Sequence, residues 1–201
     1  MNDNNYKPAA RKSIIISITI YFILILFAYL YQNTNNISKN TYSTDEKIKL
    51  YIEKYAPMAV NEAKRGKVPA SITLSQAILE SKYGESQLAY KANNHFGIKV
   101  GGIDWKGGRY CVYTNEFNKK FNKMEKKIGC FRSYDSAEEG FAHHSDFLIN
   151  RPRYSGLFLL AIDDYKGWAN GLQSAGYATD PKYAEKLINL IERFELHKYD
   201  N

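Results

Sequence analysis

The stretch Pro69-Ala-Ser-Ile-Thr-Leu-Ser-Gln-Ala-Ile-Leu-Glu-Ser-Lys-Tyr-Gly84 (PASITLSQAILESKYG) reads as one amphipathic helix with Glu80 in its last turn. Pro69 is tolerated at a helix start, and Ser71 is of the residue types that cap one. Gly84 supplies the expected stop, because glycine takes the left-handed conformation that closes a helix. Ile72, Leu74, Ala77, Ile78 and Leu79 give the segment an apolar face. A carboxylate at this end of a helix meets the negative pole of the backbone dipole. Partial burial adds desolvation, and both favour the protonated form. A carboxylic acid that keeps its proton near neutral pH is what general-acid cleavage of a glycosidic bond requires. The competing reading is a solvated Glu near a helix end, the ordinary fate of an isolated Glu. The rest of the chain decides between them.

Downstream come Asn93-Asn94-His95-Phe96-Gly97-Ile98-Lys99, then Trp105, then Phe131-Arg132-Ser133-Tyr134-Asp135-Ser136. Trp168-Ala169 and Ala175-Gly176-Tyr177-Ala178-Thr179-Asp180-Pro181 follow. This ordered set resembles the bacterial endo-β-N-acetylglucosaminidases of glycoside hydrolase family 73, which includes flagellar muramidase-like and autolysin glucosaminidase domains. The likeness runs from about Ile48 to about Leu196. It implies a mostly helical α+β, lysozyme-like fold in which a β-hairpin forms one cleft wall, with Glu80 as the catalytic acid. His95 stands where the family commonly has an apolar residue.

Glycosidases commonly pair two carboxyl groups. The expected partner is Glu116 in Thr114-Asn115-Glu116-Phe117, which resembles the family's Thr-x-Glu-Tyr hairpin motif with Phe117 in place of Tyr. The alternative is a solvated strand Glu. Glu85 is a weaker rival, just past the helix stop. Tyr177 resembles the family tyrosine placed near the N-acetyl sugar, where its phenol would meet the acetamido group; otherwise it is a core aromatic. Asn93, Asn94, Phe96 and Gly97 are expected to line the sugar cleft, with a structural turn as the alternative. Trp105 is a candidate sugar-stacking ring, whereas Trp168, at helical spacing, reads as core.

Ser13 to Tyr31 contains no charged residue. As a helix it is about 28 Å long, close to the ~30 Å hydrocarbon core of a bilayer. Lys7, Arg11 and Lys12 precede it, which orients residues 1–12 to the cytoplasm and the domain outward. The expected order is then a single-pass anchor over 13–31, a polar tether over 32–44 and a catalytic domain over 45–201 at the cell membrane. Secretion after signal cleavage is the alternative. Ser43 with Glu46 and Ser136 with Glu139 have the spacing of capping boxes. Pro57 is expected to kink or interrupt the first domain helix. Residues 101–131 alternate as a β-hairpin does.

With 201 residues, the chain accommodates one domain beyond the apolar segment. The net charge of +7 favours an anionic partner, and 17 Tyr suit a cleft that binds sugar faces. No nucleic-acid motif is present. The basic run Asn118 to Lys127 reads as a solvated hairpin tip, with contact to anionic wall polymers as the alternative. Cys111 and Cys130, the only cysteines, fall on facing strands of the hairpin, where they form either a disulfide or two free thiols. His143 and His144 are adjacent and lack metal-ligand spacing, so neither metal nor cofactor is expected. The family resemblance implies hydrolysis of the β-1,4 bond between N-acetylglucosamine and N-acetylmuramic acid in peptidoglycan strands. A lytic transglycosylase on the same fold and a non-catalytic tethered glycan-binding protein are the alternatives.

Overall fold

The computed structural model describes residues 23–32, 42–101, 105–118 and 123–200. The chain divides into two compact units, residues 1–46 and 47–201. In the first, residues 23–32 form a helix (α1) whose apolar side chains are exposed. Among the described residues no helix is long and apolar enough to cross a membrane. Lys7, Arg11, Lys12, residues 13–22 of the expected anchor, most of the tether and the tip of the hairpin lie outside the described residues.

Helix α2 (Thr44–Gly66) opens with the reciprocal capping box its spacing predicts. Ser43 N donates to Glu46 Oε2 (2.7 Å), and Glu46 N donates to Ser43 Oγ (3.3 Å). Contrary to expectation, α2 runs through Pro57 without interruption. The loss caused by proline inside a helix, about 3 kcal/mol, is offset here by a buried stripe of Ile48, Ile52, Ala56, Ala59 and Ala63.

Helix α3 (Ala70–Ser81) departs from its amphipathic reading: Ser71, Thr73, Ser75, Gln76 and Ser81 are buried along with its apolar residues. Short hydroxyl side chains tolerate this because they bond back to the helix. Ser75 Oγ donates to Ile72 O (3.0 Å), and Ser81 Oγ donates to Ala77 O while accepting from Gly84 N (2.8 Å). Ser71 is not the cap. Its N–H lies inside the first turn and donates to Asp200 Oδ1 (2.8 Å), so the C-terminal segment supplies the acceptor for the start of α3. Nor does Gly84 end the helix. Lys82 takes the left-handed conformation (φ 53°), followed by Tyr83 (φ 46°) and Gly84 (φ 85°). Ser81 Oγ steadies this unusual turn through the Gly84 N–H.

A short helix α4 (Gln87–Ala92), capped by Ser86, leads to the hairpin of β1 (Gly108–Asn118) and β2 (Lys123–Ser133). The strands are antiparallel, with Cys111 opposite Cys130 and Glu116 opposite Glu125. Cys111 and Cys130 form a disulfide (Cα–Cα 4.1 Å). The base of the hairpin is stitched to the domain by Arg132 N to Ile98 O (2.9 Å) and Tyr134 N to Ala92 O (3.0 Å). Helix α5 (Ala137–Ile149) begins at Ser136, whose Oγ accepts from Glu139 N (3.2 Å). Gly140 in α5 lies against the backbone carbonyl of Asn93, leaving no room for a Cβ.

A 3-10 helix (Pro152–Leu159), α6 (Tyr165–Ser174), α7 (Tyr183–Arg193) and a final 3-10 turn (Leu196–Tyr199) complete the domain. Gly176 (φ 71°) follows α6 in the left-handed conformation that commonly closes a helix. The core gathers Ala59, Leu74, Phe141, Trp168, Leu187 and Ile191 around α3. Trp168 is thus a core residue. Among the described residues the fold is mostly helical α+β with one β-hairpin.

Candidate active site

Glu80 occupies the penultimate position of α3, just before the left-handed turn at Lys82. It keeps solvent access, which a group acting on a polymer needs. The protein around it nevertheless displaces enough water to raise its pKa above the usual carboxylate value; the hydrogen bond from Tyr183 pulls the other way. That bond runs from Tyr183 Oη to Glu80 Oε1 (3.0 Å). Tyr183 Oη in turn accepts from Gln76 Nε2 (3.0 Å). Gln76 and Glu80 are four residues apart and so share one face of α3. A phenol from the first turn of α7 thus fixes one carboxyl oxygen of Glu80 and leaves Oε2 to carry the proton.

Tyr177 stacks on Tyr183 (ring centroids 5.6 Å, 21° between planes). Burial, then the neighbouring Glu80 charge, push its phenol well above its ordinary pKa, so it stays protonated. Tyr154 and Phe147 pack on its far sides, each with centroids 6.2 Å away. His144, fully buried, meets Tyr177 edge-on and stacks on Phe96 (3.9 Å, 11°). Burial lowers His144 to about 3, so it serves as a neutral aromatic filler.

The neighbouring residues divide sharply. Asn94 is 1% exposed, and its amide is consumed internally: Nδ2 donates to Ile98 O (3.0 Å) and Arg132 O (2.9 Å), while Oδ1 accepts from Phe96 N and Ile98 N. Phe96 is 3% exposed and packs on Phe141 and His144. Asn93 ends α4 in the left-handed conformation and donates to Tyr134 O (3.0 Å). These side chains fasten the loop to the hairpin base and are turned away from solvent or occupied. Gly97 (φ 65°) has no heavy atom near the Cβ it lacks, so its glycine answers to backbone conformation rather than close approach. His95, also buried, bonds Tyr51 Oη through Nδ1 (2.8 Å), and burial lowers it to about 4. It is a structural histidine.

Trp105 is half-buried. Its Nε1 donates to Gly108 O (2.9 Å), its ring meets Tyr134 and His143 edge-on, and the Arg132 guanidinium lies 4.3 Å over it. Arg132 also bonds His143 Nε2. Guanidinium is a donor only, so Nε2 accepts and the ring proton sits on Nδ1, facing Tyr134 Oη (3.0 Å). Glu116 lies on β1 opposite Glu125, which sits near Lys123 and Lys127. Glu85 is tied to Lys47 (2.8 Å). Among the described residues no cluster of His, Cys, Asp and Glu is arranged to hold a metal ion.

Residues 56–196 match the glucosaminidase family profile, described as mannosyl-glycoprotein endo-beta-N-acetylglucosaminidase. This chain belongs to the glucosaminidase family. It is 34% identical over 203 residues to the exo-glucosaminidase LytG of Bacillus subtilis, a match covering 96% of this chain and 69% of LytG. It is 32% identical to the peptidoglycan hydrolase FlgJ of Vibrio cholerae, covering 74% of this chain but only 45% of FlgJ. The catalytic domain of the Listeria monocytogenes autolysin Auto superposes with a TM-score of 0.69 at 28% identity, over 85% of this chain and 97% of that domain. The glycoside hydrolase domain of Salmonella typhimurium FlgJ superposes with a TM-score of 0.60 at 31% identity, over 75% of this chain and 90% of that domain. Gln76 and Tyr183 escape a reading of the sequence. The one local hint is the four-residue spacing of Gln76 and Glu80.

Proposed function

We propose that this glucosaminidase-family chain hydrolyses the β-1,4 bond between N-acetylglucosamine and N-acetylmuramic acid in peptidoglycan, with Glu80 as general acid. The observation that carries this is the Gln76–Tyr183–Glu80 hydrogen-bond chain at the end of buried α3, with Glu80 held toward its protonated form. The relatives named as peptidoglycan hydrolases support the choice of polymer. Glu80 gives its proton to the glycosidic oxygen as the C–O bond breaks, and water completes the hydrolysis at the sugar carbon. The Tyr177 phenol orients the acetamido group beside Glu80. Glu116, on strand β1, assists the water or stabilises positive charge on the sugar.

Residues 13–31 anchor the domain to the cell membrane and residues 32–44 form its tether, placing the catalytic unit outside. The Cys111–Cys130 disulfide supports that side, where oxidised pairs persist. The test is mass spectrometry of borohydride-reduced fragments from purified peptidoglycan. The proposal expects reduced N-acetylglucosamine ends. Anhydro-muramic ends would make the protein a transglycosylase, and glycan bound without cleavage would make it a binding module.

A further inference from the structure

Two of the aromatic residues around Tyr177 each have a guanidinium against the ring. The Arg153 guanidinium lies 4.6 Å from the Tyr154 ring, and the Arg151 guanidinium 3.5 Å from Phe147. Both rings pack on Tyr177. Arg132, over Trp105, lies within electrostatic reach of Arg151, as does Arg153. Among the described residues, no ion pair joins any of these arginines to a carboxylate. Arg132 Nε is buried with no acceptor among the described residues.

Guanidinium stays charged at any physiological pH, so these arginines repel one another with no counter-charge of their own. Burial and the neighbouring Arg132 together work against the charged form of Arg151. The aromatic rings beneath the guanidiniums, with Arg151 Nη1 also donating to Phe147 O (3.1 Å), hold these groups in place, the preorganisation that carboxylate recognition uses. Such an arrangement is costly to maintain for packing alone and is relieved by an anion. Next to a site that cleaves a glycan, the nearest anions are those the glycan itself carries on its peptide substituents.

We propose that Arg132, Arg151 and Arg153 form a carboxylate-reading subsite beside Tyr177 that selects peptide-bearing, anionic strands over neutral β-1,4 glycans. This rests on the hydrolase reading above. The phosphodiesters of wall polymers offer similar chemistry, and the test separates the two sources.

Soluble peptidoglycan strands free of wall polymer are prepared with their carboxylates intact, and again with those carboxyls converted to neutral amides. Initial rates give kcat/KM for wild type, Arg151→Gln and Arg153→Gln, with thermal melts confirming that each variant is folded. Wild type is expected to prefer the carboxylate strands by about tenfold, the scale of one charge-assisted contact. Each variant is expected to lose most of that preference, through KM on the carboxylate strands. Equal wild-type rates on both strands, or an undiminished preference in both folded variants, overturns the subsite and leaves the hydrolase reading standing. Cleavage of neither strand by wild type overturns both. Glycerol phosphate oligomers that inhibit wild type but not the variants, with no carboxylate preference, would assign the arginines to a phosphodiester instead.

Discussion

Tyr183→Phe isolates the hydrogen bond on which the chemistry of Glu80 depends. The substitution removes only the hydroxyl that donates to Glu80 Oε1 and accepts from Gln76 Nε2; the ring keeps its stack on Tyr177. In the native protein this bond lowers the pKa of Glu80 against the stronger raising effect of burial. Without it the pKa rises further. A general acid works in its protonated form, so activity falls as pH rises through that pKa. The alkaline limb of the kcat profile is therefore expected to move to higher pH in the variant. The plateau on the acid side should drop, because the carboxyl is no longer held with its proton toward the substrate. One neutral hydrogen bond contributes about 0.5–1.5 kcal/mol, which puts the drop at roughly two- to tenfold. Folding stability should fall by about 1 kcal/mol, since Gln76 loses its acceptor. The assay is kcat against pH on soluble glycan strands, with a thermal melt of each protein. An alkaline limb that moves downward, or an unchanged profile, would refute Tyr183 as the partner that sets the ionisation of Glu80.

Other perturbations have expected outcomes of their own. Gly140→Ala drives a methyl into the carbonyl of Asn93; the cost should be about 1–3 kcal/mol in urea unfolding, and a neutral result would contradict the close approach. Asp200→Ala removes the acceptor for Ser71 N at the start of α3. A loss of about 1 kcal/mol is expected in the same assay, with no change in the pH profile of kcat. Opening the Cys111–Cys130 bridge, by reductant or as the paired serine variant, releases a constraint spanning 19 residues. The chain-entropy estimate is about 3 kcal/mol. Because the hairpin is only a two-stranded sheet, the loss should appear as faster hydrogen exchange in β1 and β2 while α3 stays protected. Uniform loss of protection across the domain would contradict that locality.

How much of this was legible in the sequence depends on how far apart the interacting residues lie. The capping boxes at Ser43 and Ser136 are local patterns, and the first closes reciprocally. At the second, Ser136 Oγ accepts from Glu139 N, but the Glu139 carboxylate reaches one residue further back, to Asp135 N. The hairpin showed in its alternation, and its register sets Cys111 opposite Cys130. Tyr183 is invisible in this way because its contact with Glu80 spans 103 residues. The acceptor for the start of α3 is hidden for the same reason, with Asp200 lying 129 residues from Ser71. The amphipathic reading of α3 fails because residue type reports polarity and not burial, and small hydroxyls such as Ser75 can be buried by bonding back to the helix. Asn94 and Phe96 carry the same lesson. A polar and an aromatic residue in a family-like motif suggest a sugar contact, yet their own backbone and core neighbours use them fully.

The most direct measurement is the rate of peptidoglycan cleavage by Glu80→Gln beside wild type, with circular dichroism confirming that both are folded. Glutamine keeps the shape and can still accept from Tyr183, but it has no acidic proton to give. If Glu80 is the general acid, the rate should fall by about 100- to 10,000-fold. A folded Glu80→Gln protein cleaving within a few-fold of wild type would contradict that assignment.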